Sequence, residues 1–157
     1  MAGHPSTSAS PIAIIAMAGR FPGAHDVDEY WHNLLAGVES IAFFDDDELR
    51  AAGTPQEHLD DPHFVRANPI IDDVEMFDAN YFRVNAREAE ILDPQHRVLL
   101  EVCADALQIA GYDPARYAGR IGMFAGSRDN DYFEQNVGTH PELMATIGPL
   151  AAIPVAR

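Results

Sequence analysis

Few side chains in this sequence are of the types from which catalytic chemistry is built. Cys103 is the single cysteine and so the single candidate thiol nucleophile. It falls mid-way along a long helical pattern, on the apolar side. A reactive thiol instead occupies an exposed, electropositive setting such as a helix N-terminus or the neighbourhood of a histidine. The flanking Glu101 and Asp105 oppose a thiolate, so Cys103 reads as a buried structural residue. His58, Asp60, Asp61 and His63 place four metal-ligand types close together. Their spacing matches no strong zinc signature and the segment contains proline, so a solvated acidic loop is expected. The run Asp45–Glu48 lacks the alternation and central glycine of a calcium loop and suits a helix N-terminus. Gly19, Gly23, Gly122 and Gly126 form neither a GxGxxG nor a GxxxxGK[ST] phosphate cradle. No serine lies in a GxSxG elbow. His25, His32, His96 and His140 are scattered and read as surface or hydrogen-bonded structural residues. Residue types and spacing thus assemble no catalytic, cofactor-binding or metal site.

Composition narrows the partners. The 157 residues include 25 Asp and Glu against 10 Arg and no Lys, a formal charge of −15. Phosphate neutralisation needs a basic footprint, so nucleic acid and anionic membrane surfaces are not expected partners. Hydrophobic residues make up 47% and charged residues 22%, which suits a folded domain rather than a disordered chain. One cysteine excludes an internal disulfide and fits a reducing, cytoplasmic compartment. The longest clean apolar run, Ile12–Ala18, is far short of the roughly 20 residues of a membrane span. It lacks the basic flank of a signal peptide and is read as a buried strand.

The elements that would position these residues follow from periodicity and punctuation. Residues 1–10 are small and polar, a flexible tail. Ile12–Met17 is a continuous apolar run between Pro11 and Gly19, as in a strand covered on both faces. Asp26 or Asp28 caps a following helix with Tyr30, Trp31, Leu34 and Leu35 on its apolar face, stopped by Gly37. Residues 45–52 read as a second short helix ending at Gly53. Residues 54–75 form a polar connector long enough to be an ordered insertion. Phe77–Phe82 reads as an aromatic turn or short helix pinned to the core. The strongest helix runs from about Asp93 to Ala110, with Pro94 in its first turn and Gly111 after it. Ile121–Ala125 is a second apolar run read as a buried strand, and residues 131–137 as a short helix. Ile147–Val155 is apolar and small.

This order predicts an α/β fold with parallel strands. Two strands are too few for a sheet covered on both faces. Their edges and the apolar stretch near the C-terminus would be exposed. The expectation is therefore a sheet that is incomplete in this chain.

The residues also resemble a known family. Ile12–Gly23 (IAIIAMAGRFPG) is similar to the opening strand and turn of a β-ketoacyl synthase of the modular polyketide synthase type, and Asp28–Ser40 to the helix after it. Asp73–Arg97 resembles that family's most distinctive stretch, through Phe77-Asp78, Phe82, Glu88-Ala89, Asp93-Pro94-Gln95 and Arg97. Leu99–Pro114 and Gly119–Ser127 continue the resemblance, which covers residues 11–150; Ala151–Arg157 diverges. Ala16 and Arg83 stand where the family usually has Gly, and Ala86 where it usually has Pro. The resemblance implies a thiolase-like layered α/β fold, usually a homodimer. It implies decarboxylative Claisen condensation of acyl thioesters carried on the phosphopantetheine of an acyl carrier protein. The family's nucleophilic Cys motif and catalytic His residues have no counterpart in this sequence, and Cys103 matches a helix position instead. No residue is carried over as catalytic, and no cofactor or metal is expected.

For the matched residues the structural role is favoured. Asp93, Arg97 and Glu88 would form buried or half-buried hydrogen bonds locking the insertion onto the long helix. Phe21, Trp31, Phe77 and Phe82 would pack in the core. The leading expectation is an N-terminal ketosynthase portion, inactive alone and completed by the remaining ketosynthase segment. The alternatives are a non-catalytic module that pairs with an intact synthase or carrier protein, and a small metalloenzyme using the cluster at 58–63.

Overall fold

Asp93 and Pro94 start the longest helix for a physical reason: Pro94 has no N–H to leave unpaired there, and the Asp93 carboxylate accepts the Gln95 N–H at 2.8 Å. A computed structural model of the protein describes residues 11–127 and 132–141. The stretch at 1–10 read as a tail, the apolar stretch Ile147–Val155 and the divergent end lie outside the described residues. In chain order the elements are α1 (Val27–Ala36), β1 (Ile41–Phe43), α2 (Asp46–Ala51), α3 (Gln56–Leu59), β2 (Ala67–Pro69), α4 (Ala86–Ile91) and α5 (Pro94–Ile109). A π-helical turn covers Phe133–Val137.

Local signals hold well. The Asp26 carboxylate caps α1 by accepting the Glu29 N–H at 2.8 Å, and the Glu29 carboxylate accepts the His25 N–H at 2.8 Å. Such caps contribute about 1 kcal/mol each. Gly37 ends α1 in the left-handed region, φ 67°, freeing the Val38 N–H to reach the Asn33 carbonyl at 2.9 Å. Asp45 and Glu48 form a reciprocal capping box on α2. The turn Phe21-Pro22-Gly23-Ala24 closes with paired bonds of 2.9 and 3.0 Å, Gly23 taking φ 69° as Pro-Gly turns require. A Cβ on Gly23 would approach Ser40 Oγ to 2.9 Å, and the Gly23 carbonyl accepts from Asn33 Nδ2 at 2.8 Å. The turn is thereby fastened to α1.

The insertion is ordered, as expected, and supplies one strand of a two-stranded sheet that periodicity does not reveal. β1 and β2 pair antiparallel, Ile41 opposite Pro69 and Phe43 opposite Ala67. Three-residue strands carry no readable alternation. Arg66 closes the loop between them, donating to Asp46 Oδ1 at 2.6 Å and to the Leu59 carbonyl at 2.7 Å. The hydrogen bond from Arg66 is the main cause that holds the Asp46 carboxyl below its ordinary value.

Three expectations are corrected. Neither Ile12–Met17 nor Ile121–Ala125 is paired in a sheet. Ile12 is 95% and Ile14 82% exposed, and Phe124 is fully exposed. The two runs do meet: Ile15, Ala16 and Ile121 line one hollow of about 360 Å³ against Ala106, Leu107 and Ala110 of α5. A strand covered on both faces needs a flanking strand and a second layer. The described residues supply α5 on one side and neither of the others. Trp31 is likewise not a core residue, being 59% exposed. Phe21 is half-buried and stacks on Tyr30 at 4.2 Å, and Phe77 stacks on Phe82 at 5.1 Å. The fully buried apolar residues among those described are Ala24, Leu59 and Val137. No helix among the described residues is long and apolar enough to cross a membrane.

Arg83 has φ 57°, in the left-handed region that a Cβ disfavours. Arg83→Gly is expected to raise stability by about 0.5–1 kcal/mol, since relieved strain exceeds the added freedom of the unfolded chain. A urea midpoint that falls on substitution would contradict this. Ala86, by contrast, is the first residue of α4, where Ala and Pro are both unstrained.

Candidate functional site

Arg97 is the buried charge at the centre of the described residues, 8% exposed in the first turns of α5. Its Nε donates to the Leu92 carbonyl at 2.7 Å, Nη1 to the Glu75 carbonyl at 3.3 Å and Nη2 to the Tyr132 hydroxyl at 2.8 Å. Leu92 caps the C-terminal end of α4, where carbonyl dipoles favour a cation. Glu75 closes the connector that precedes the aromatic turn. One guanidinium therefore joins the connector, the α4–α5 corner and the segment at 132. The locking role read from the sequence is present; its partners are corrected. Asp93 and Glu88 do not ion-pair with Arg97. Asp93 caps α5, and Glu88 completes the α4 capping box with Asn85. Helix N-termini hold these carboxylates, leaving neutral oxygens to Arg97. Sequence reading missed Tyr132, which lies 35 residues away and carries no local signal of that contact.

A second clasp ties the opening turn to α5. Arg20 reaches the Asp72 carbonyl at 2.7 Å and Glu101 at 3.6 Å, both side chains being mostly buried. Cys103 stands two residues from Glu101, half-buried, in a hollow of about 550 Å³ that Tyr81, Phe82, Leu107 and Tyr112 also line. Among the described residues no histidine lines that hollow; its one carboxylate, Asp113, accepts the Ala115 N–H at 2.9 Å.

The cluster at 58–63 disperses. His58 sits on α3 and stacks against Phe64 at 5.9 Å. Asp60 accepts from Gln56 Nε2 at 2.9 Å, and Asp61 accepts the His63 N–H at 2.8 Å. Among the described residues no group of three or more His, Cys, Asp or Glu converges as metal ligands would. His140 bonds through Nδ1 to the Asn136 carbonyl at 2.9 Å. Among the described residues these side chains build clasps and helix caps.

Residues 9–153 match the family model described as "Beta-ketoacyl synthase, N-terminal domain". The chain belongs to the β-ketoacyl synthase family, and it is an N-terminal ketosynthase portion of the modular polyketide synthase type. A phenolphthiocerol/phthiocerol polyketide synthase component from Mycobacterium tuberculosis is 43% identical over 136 residues, 87% of this chain and 9% of that protein. Polyketide synthase PksL of Bacillus subtilis is 37% identical over 139 residues, 82% of this chain and 3% of that protein. The solved ketosynthase from module 6 of the bacillaene synthase from Bacillus subtilis aligns with TM-score 0.55 and 36% identity, over 64% of this chain and 17% of that one. The fold is accordingly α/β, a part of the thiolase-like ketosynthase fold. The chain spans under a tenth of the length of the curated relatives named here.

Proposed function

We propose that this chain supplies the framework of a polyketide-synthase condensing domain and loads no acyl group by itself. The family's reaction is decarboxylative Claisen condensation of carrier-bound acyl thioesters. In this reading an acyl carrier protein and the remaining ketosynthase segment are its partners, within a homodimer in the cytoplasm. The observation that carries the reading is the setting of Cys103: a mid-helix thiol, half-buried, with acidic neighbours and, among the described residues, no histidine in its hollow. Catalytic thiols need the opposite environment. Incubating the chain with an acyl thioester and measuring intact mass tests this directly. No adduct is expected, and an acyl adduct mapped to Cys103 would overturn it.

A second reading, a non-catalytic module that pairs with an intact synthase, draws support from the exposed apolar runs at 12–17 and 121–124. It requires a stoichiometric complex with that synthase in size-exclusion chromatography.

A further inference from the structure

We propose that residues 132–141 form a strap whose docking on the α4–α5 corner is governed by the Tyr132 hydroxyl. This goes beyond the ketosynthase reading and does not depend on it. The segment is largely bonded to itself. The Gly138 N–H reaches the Phe133 carbonyl at 2.7 Å, Asn136 Nδ2 the Tyr132 carbonyl at 3.3 Å and Thr139 Oγ1 the Gln135 carbonyl at 3.1 Å. A π-helical turn has poorer intrinsic stability than an α-helix, so its persistence depends on what holds it from outside.

Tyr132 carries the strap onto the body. Val137 is fully buried, whereas Phe133, Glu134, Gln135 and Asn136 face solvent. Among the described residues the hydrogen bonds from strap to body run through Tyr132. Its hydroxyl accepts from Arg97 Nη2 at 2.8 Å and donates to the Glu90 carbonyl at 2.9 Å. The phenol thereby serves as both donor and acceptor. Its ring lies 5.9 Å from the Arg97 guanidinium carbon, a cation–π contact. Opening the strap takes one partner from Arg97 and admits water to a guanidinium that is now buried. The phenol is a catch whose release exposes a cation.

Hydrogen exchange on the full chain, read separately over 133–138 and over α5, tests this. In the wild type the strap amides are expected to exchange through a local opening, faster than the most protected amides of α5. Equal protection, reflecting one global opening, would overturn the proposal. Tyr132→Phe keeps the ring and removes both hydroxyl bonds. It is expected to speed exchange over 133–138 roughly ten-fold or more, with α5 unchanged. Unchanged exchange over 133–138, or a rise shared equally by α5, would overturn it.

Discussion

Replacing Arg97 with Ala is expected to destabilise the chain by about 3 kcal/mol. The guanidinium is buried and donates to three oxygens on separate segments: Leu92, Glu75 and Tyr132. Truncation loses those bonds, strands two backbone carbonyls and opens a void the size of the side chain. Each bond to a charged group is worth roughly 1.5–3 kcal/mol, and the removed desolvation penalty of the cation offsets part of the sum. Arg97→Lys keeps the charge and loses the fork, so an intermediate loss of about 1–2 kcal/mol is expected. Arg116→Ala is the matched control: its side chain is 86% exposed and its Asp113 contact is 4.0 Å, so the change should stay within about 0.5 kcal/mol. Urea unfolding followed by far-UV circular dichroism ranks the three. Equal midpoints for Arg97→Ala and Arg116→Ala would show that the Arg97 clasp does not hold the fold together.

The second large effect concerns association. The double substitution Ile14→Glu with Phe124→Glu is expected to leave the unfolding midpoint within about 0.5 kcal/mol of wild type, because both side chains already face water. The same pair should suppress concentration-dependent self-association of the isolated chain, since it places charge on two apolar runs that flank one hollow on α5. Were these runs buried strands within the chain, each change would bury a carboxylate and cost several kcal/mol. Sedimentation velocity across a concentration series, beside urea unfolding, separates the outcomes. A large drop in midpoint would mean the runs are packed, and unchanged association would mean that other surfaces drive it.

Both effects turn on contacts between residues remote in the chain, and that is where sequence reading reached its limit. Helix starts and stops were legible because their causes are local. Asp26, Asp45 and Asp93 cap N–H groups two or three residues away, and Gly37 and Gly111 end helices through their own backbone angles. The Pro22-Gly23 turn is equally local. The place of Cys103 within a helix was legible from its periodicity, and the family was recognisable in the stretch from Asp73 to Arg97.

Local order along the chain was therefore enough for the helices, the turn at Pro22-Gly23, an ordered insertion and the family. Three-dimensional packing settled which oxygens receive Arg97, that Asp93 and Glu88 serve as caps instead, and that β1 meets β2. It also settled that the runs at 12–17 and 121–125 lie open. A continuous apolar run states what a segment would bury; the neighbours needed to bury it are a property of three dimensions. The same holds for Tyr132, whose hydroxyl acquires its partners only when two helices and a distant turn converge on one guanidinium.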